Sequence, residues 1–274
     1  MKVLFLVALF IIGTCFGSFL CCQARRYHQK TEKPKNKLKN KRSICMHCHY
    51  QLRWYDNIPL FSWLFLKGKC RKCHKPIGLA EILSEFLVGL AFLGIATTVD
   101  FATTTVLGWC IFVITLILIL FLSFLAIYDG IYGKLPSKFL YISIAIGAVL
   151  LALKEVDLII ASGFMPELIW KPIVSALILG GIYLILHLVS KGKWVGDGDW
   201  LLGLAIGLAL YDPWLALIVL FVANLLAFLV MVPFIKKNKS HQIHFGPFMV
   251  IAFVIAITFS DFFFYAMSGL SLMY

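Results

Sequence analysis

Acidic residues are scarce in this chain, and outside one segment so is charge of either sign. The 274 residues hold 13 Asp and Glu against 25 Lys and Arg, and charged residues make up only 14% of the total. Hydrophobic residues reach 61% and the mean hydropathy is +0.93, well beyond a soluble domain's usual share. A soluble globular protein is excluded on that ground. No internal repeat is visible, and no Rossmann-type glycine fingerprint is present. No clear Ala-x-Ala cleavage site follows the first apolar run, as a cleaved signal peptide would require. That run is also long for a signal peptide, and a basic segment starts abruptly at Arg25. Residues 1–22 therefore read as a retained first transmembrane helix.

A spanning helix needs about 20 mainly apolar residues. Apolar runs lie at roughly 3–22, 79–98, 106–128, 137–153, 172–190, 200–211, 213–235 and 246–267. The expected fold is an all-α polytopic membrane protein of about eight transmembrane helices. The run at 200–211 is short for a full span. Three parts are expected: the first helix (1–22), a basic cytoplasmic loop (23–78) and a membrane-embedded remainder (79–274).

Positive charge is concentrated. Residues 23–78 carry fifteen Lys and Arg against two acids, a local balance of +13 where the whole chain is +12. Between two membrane helices such a segment sets orientation rather than binding nucleic acid, because Lys and Arg favour the cytoplasmic side. Alternation from there puts the loops at 129–136, 191–199 and 236–245 on the same face. With the adjacent helix ends they carry Lys134, Lys138, Lys191, Lys193, Lys236, Lys237 and Lys239. Only Lys2, Lys154 and Lys171 fall on the other side. The stretch from Lys30 to Arg42 reads as a basic linker beside anionic lipid.

Within the basic loop stand Cys45-Met46-His47-Cys48 and Cys70-Arg71-Lys72-Cys73. Two C-x-x-C pairs at this separation match a structural zinc site, each supplying two thiolates from one turn. Disulfides are disfavoured in a reducing compartment. His47, His49 and His74 read as surface residues, since four Cys complete a tetrahedral shell. Cys15, Cys21, Cys22 and Cys110 read as packing residues. Between the pairs, Trp54 to Leu64 is too apolar for a solvated loop. It reads as the core of the metal module or as an interfacial segment.

Carboxylates at membrane depth are costly and mark functional sites by default. Asp129 closes an apolar run, and Gly196-Asp197-Gly198-Asp199 opens another. Asp199 would lie near a helix N-terminus, where the dipole favours a carboxylate. Gly203 and Gly207 have the spacing that lets helices approach closely. Capping aspartates are the bland reading. Two on one predicted face instead suggest an acid–base pair that shares a proton. The Gly-Asp-Gly-Asp loop lacks the array of acids or amides that a metal or phosphate site needs.

In this order the motifs resemble those of the bacterial type IV prepilin peptidases, membrane aspartic proteases with a Gly-x-Gly-Asp signature. The residues carrying the resemblance are Gly17-Ser18-Phe19-Leu20, both cysteine pairs, Trp54 to Leu64, and Gly68-Lys69-Cys70-Arg71. Ile77 with Glu85, Asp129 with Leu135-Pro136, Gly196-x-Gly198-Asp199 and Phe245-Gly246-Pro247-Phe248 complete the set. Leu201 stands where the family commonly has Lys, and Glu81-Ile82 where it more often has an aromatic-Pro pair. Gly130-Ile131-Tyr132 lacks the charges often seen after the first aspartate.

The resemblance implies a multi-pass bacterial inner-membrane enzyme whose catalytic face is cytoplasmic. Its substrates would be type IV prepilin-like or pseudopilin precursors, cleaved with Asp129 and Asp199 as catalytic residues and Asp197 in a variable position. It also implies N-methylation of the new N-terminus with S-adenosylmethionine as co-substrate, although no recognisable site for it stands in the sequence. Readings from other classes are a zinc-loop membrane assembly factor and a proton-coupled transporter using the two aspartates.

Overall fold

A computed structural model describes residues 2–32, 44–45, 47–48, 50–100, 103–192, 195–235 and 244–271. The chain forms two compact units, Met1–Ala96 and Thr97–Tyr274. Both are helical, as a lipid environment demands, because a helix satisfies its own backbone hydrogen bonds.

The first unit contains α1 (Lys2–Glu32), a short α2 (Phe61–Phe65) and α3 (Leu79–Thr97). Its helices α1 and α3 cross at glycine. A Cβ on Gly13 would stand 2.8 Å from the Val88 carbonyl oxygen, and one on Gly17 would run into the Ser84 carbonyl. Bare backbone at these two turns lets the helices touch, the small-residue packing that substitutes for a hydrophobic driving force in lipid. Arg25 and Glu81 form an ion pair farther along the same seam.

The second unit contains α4 (Val106–Tyr132), α5 (Ser137–Ser162), α6 (Glu167–Ala176), α7 (Ile182–Ser190), α8 (Asp197–Leu210), α9 (Pro213–Ile235), α10 (Gly246–Thr258) and α11 (Ser260–Ser271). A π-helical turn at Leu177–Gly181 joins α6 to α7, so the apolar run there is one interrupted span of 24 residues. All eight apolar runs of the sequence fall on helices. Among the described residues, five helices are by themselves long and apolar enough to cross a membrane. The 14-residue α8 and 13-residue α10 are shorter than a span, as the short 200–211 run implies.

Helix α8 is nevertheless the centre of the second unit. It packs by backbone contact: a Cβ on Gly203 would stand 2.5 Å from the Leu179 oxygen, and one on Gly207 2.8 Å from the Ser175 oxygen. The expected glycine seam thus faces the interrupted α6–α7 helix. A helix ending inside a bilayer leaves carbonyls without partners. Here the Ser175 hydroxyl donates to Gly207 O (2.8 Å) and Lys154 Nζ to Ala209 O (2.6 Å). Lys154, just past the 137–153 apolar run, lies within α5 and turns inward, because the open end of α8 offers its ammonium a carbonyl. Cys21 is packed as expected, but Cys15 and Cys110 are exposed on their helices. Lipid is as apolar as a protein core, so a small thiol need not be buried.

The loops following α4 and preceding α8 lie on one side of this unit, since Gly198 abuts Leu135. Cysteine-accessibility labelling should therefore find positions 134 and 192 reactive from the same side of the membrane and position 163 from the other. Opposite labelling at 134 and 192 would separate the two aspartates and remove the basis for a shared site. The expected cytoplasmic cations Lys193, Lys236, Lys237 and Lys239, and all of the basic linker after Glu32, lie outside the described residues.

Candidate active site and metal centre

Asp129 sits in the last turn of α4 and is 5% exposed. Gly133, with φ +65° in the left-handed region, ends the helix by donating its N–H to the Asp129 carbonyl at 2.7 Å. Pro136 then caps α5. The Asp129 side chain receives its hydrogen bond from far away in sequence: the Gly246 amide, at the start of α10, donates to Oδ2 at 3.0 Å. A Cβ on Gly246 would lie 2.9 Å from that oxygen, so the approach requires glycine. The neighbouring Pro247 packs near Gly130.

Asp199 occupies the third position of α8, where its Oδ2 accepts the Gly196 amide at 3.0 Å and the helix dipole favours negative charge. Its carboxyl lies within electrostatic reach of Asp129 and of His187. Tyr183 on α7 feels the Asp199 charge in turn; its ring meets Phe245 edge-on at 5.3 Å, and its hydroxyl accepts from Asn224 at 3.2 Å. The two sequence-predicted aspartates, 70 residues apart in the chain, thus lie within electrostatic reach of each other. Asp197 points elsewhere, exposed and paired with His187 Nε2 at 2.9 Å.

Little in the sequence alone sets His187 apart. It closes α7, and its Nδ1 meets the Val195 carbonyl at 2.8 Å while Nε2 meets Asp197. The ring therefore fastens both ends of the segment that leads into α8. The only signal was an ionisable residue in an apolar run. His244 is a second omission; its Nε2 would stand 2.7 Å from a Cβ on Gly133, which brings it beside the turn that follows Asp129. Neither aspartate lines the apolar cleft of about 580 Å³ that runs along α5, the interrupted helix and α8 past Trp200, Leu204 and Leu208.

Gly198 has no spare room: a Cβ there would fall 2.5 Å from Leu135 Cβ. Gly198→Ala should lower stability by about 1–3 kcal/mol through overpacking, read as a lower melting temperature in detergent. Gly163→Leu provides no comparison, because its φ of +78° penalises any side chain. Gly181→Ala does, since its nearest neighbours are 3.7 Å away, and it should stay close to the parent.

The four cysteines of the first unit converge as well. Cys45, Cys48, Cys70 and Cys73 bring their sulfurs within 4.8 Å of one another. The Cys45–Cys73 and Cys48–Cys70 sulfur separations are both 3.9 Å. A disulfide requires about 2.05 Å, whereas tetrahedral sulfurs about 2.3 Å from a zinc ion stand roughly 3.8 Å apart. The site fits an ion. Two similar turns build it: the Cys45 amide donates to Tyr50 O and the Cys70 amide to Lys75 O, both at 2.9 Å.

Electrostatics argue the same way. The Cys73 amide draws the Cys70 thiol down to about 7. Cys48, although the Tyr50 amide favours its thiolate, is pushed up to about 11 by desolvation and the neighbouring sulfurs. One thiolate forms readily and a second is opposed by its neighbours, so four together call for a cation. His47 and His74 are exposed and stand outside the cluster; His49 lies outside the described residues.

The segment between the pairs departs from a module core. Asp56 is buried, accepting the Arg53 amide at 3.1 Å and Arg71 Nε at 2.8 Å, which ties it to the second knuckle. Trp54, Phe61 and Leu64, however, are exposed.

Residues 11–99 match the family model of the bacterial peptidase A24 N-terminal domain. A prepilin leader peptidase/N-methyltransferase of Aeromonas hydrophila is 30% identical over 84% of this chain and 76% of its own length. The enzyme of that name from Dichelobacter nodosus is 31% identical over 77% and 68%. That from Myxococcus xanthus is 44% identical, over 32% of this chain and 25% of its own length. No solved structure matches. The alignments to the first two relatives extend over most of a chain whose two motif aspartates lie within electrostatic reach of each other and whose four loop cysteines converge: it belongs to the prepilin leader peptidase/N-methyltransferase family.

Proposed function

We propose that this protein is a membrane aspartic endopeptidase that removes the leader peptide of type IV prepilin-like proteins and N-methylates the new N-terminus. The observation that supports the peptidase reading is that Asp129 and Asp199 lie within electrostatic reach of each other, each holding a backbone amide. Two carboxyls at short range share a proton. The ionised member removes a proton from water, and the protonated one donates to the scissile carbonyl oxygen as the water attacks. The pair titrates as one unit. The membrane-embedded stretch 79–274 carries this chemistry, on the cytoplasmic face of the bacterial inner membrane.

Cys45, Cys48, Cys70 and Cys73 hold one structural zinc, whose binding energy also folds the loop. Methylation uses S-adenosylmethionine as co-substrate and rests on the family alone. The test is incubation of the purified protein with a prepilin-like peptide, with and without that co-substrate, read by mass spectrometry. Loss of the leader and gain of a methyl group are reported separately. An intact peptide would return the chain to the assembly-factor or transporter readings, which proton-coupled uptake distinguishes.

A further inference from the structure

The aromatic segment between the cysteine pairs is placed by one hydrogen bond. The Leu60 amide, entering α2, donates to Glu85 Oε2 at 2.7 Å, and Ser18 on α1 also reaches that carboxyl. Glu85 is buried and belongs to α3, one of the membrane-spanning helices. It lies six residues inside the start of that helix at Leu79, about 9 Å along the axis. It is also one turn deeper than Glu81, whose ion pair with Arg25 marks a level where charge is accommodated. A soluble loop has no reason to reach down to this depth. Leu60 does so at a conformational cost, with a φ of +60° that disfavours a branched side chain.

What that contact brings down is apolar and exposed. Phe65 is 83% exposed, Trp54 79%, Phe61 61% and Leu64 61%. Leu83 and Phe86, flanking Glu85 on α3, are exposed in the same way, as lipid-facing residues of a span are. Immediately after α2 the chain turns basic: Lys67, Lys69, Arg71 and Lys72 are all exposed. An apolar turn followed by a cationic one is the pattern of an element lying in the headgroup boundary.

We propose that residues 54–66 form an interfacial element. It inserts Phe61, Leu64 and Phe65 into the acyl–headgroup boundary of the leaflet at which α3 begins, with the following cations at phosphate level. The occupant of the patch is the bilayer itself, because the Glu85 contact holds it at the depth of a span. A soluble partner would have to enter lipid to reach it. The metal-binding turns on either side are then held against the membrane surface rather than projecting from it, and buried Glu85 acts as the anchor.

The test uses the full chain in nanodiscs of phosphatidylethanolamine and phosphatidylglycerol, one chain per disc. A benzophenone amino acid replaces Phe65, Phe61, Phe86 or His74 in turn, all exposed, so that the fold is undisturbed. After irradiation, phospholipid adducts are counted by mass spectrometry. Yields at 65 and 61 should be within about threefold of that at 86 and roughly tenfold above that at 74, as for side chains at the acyl boundary. A yield at 65 no greater than at 74 overturns the proposal. So does a crosslink from 65 to protein in place of lipid in native membranes, which would make the patch a protein-docking surface. Glu85→Leu removes the anchor and should lower the adduct yield at 65 but not at 86; unchanged yield at 65 would discard the anchoring role.

Discussion

Asp129→Asn and Asp199→Asn should each abolish leader cleavage, by roughly 10³-fold or more, while the protein remains inserted and folded. The amide keeps the size of the carboxyl and still accepts the Gly246 or Gly196 N–H. What it loses is ionisation, and with it the proton traffic of a pair acting as a unit. A hydrogen-bonding or capping role would survive the substitution; an acid–base role cannot. Asp197→Asn is the internal comparison. Its oxygen still reaches His187, so activity should remain within about threefold of the parent, as for a substitution that spares the reacting groups. The measurement is turnover of a prepilin-like peptide by each purified variant, with the melting temperature as the folding control. Undiminished turnover at either position 129 or 199 would end the two-carboxylate account.

Metal analysis should find one zinc per chain, and Cys→Ser at 45, 48, 70 or 73 should cost most of it. A structural zinc of this kind contributes on the order of 10 kcal/mol at neutral pH, much of which is folding energy for the loop around it. Its loss should open residues 44–78 to protease while leaving the second unit resistant. Acid should mimic the mutations. The folded site favours the Cys70 thiolate, drawn down from its ordinary 9.0 to about 7, so its contribution is fully present above about 9 and is lost as pH falls through about 7 and protons displace the metal. Protein that contains no zinc and carries disulfides at these positions would refute both the ligand set and the reducing compartment.

Composition and charge asymmetry were enough to establish a helical membrane protein, its eight apolar runs and a common side for Asp129 and Asp199. Hydropathy and loop charge are properties of short stretches that a bilayer reads directly. The cysteine spacing announced a four-thiol cluster because each pair lies within one turn. Tertiary structure alone decided the rest. Nothing local says that Gly246 holds Asp129 across 117 residues, that His187 pins the approach to α8, or that Lys154 turns inward to close its far end. Nor could hydropathy tell whether Phe61 and Phe65 fill a core or face outward. In water an apolar stripe points to the interior. In lipid the surroundings are as apolar as the core, so a helix's buried and exposed faces read alike, and only packing assigns them.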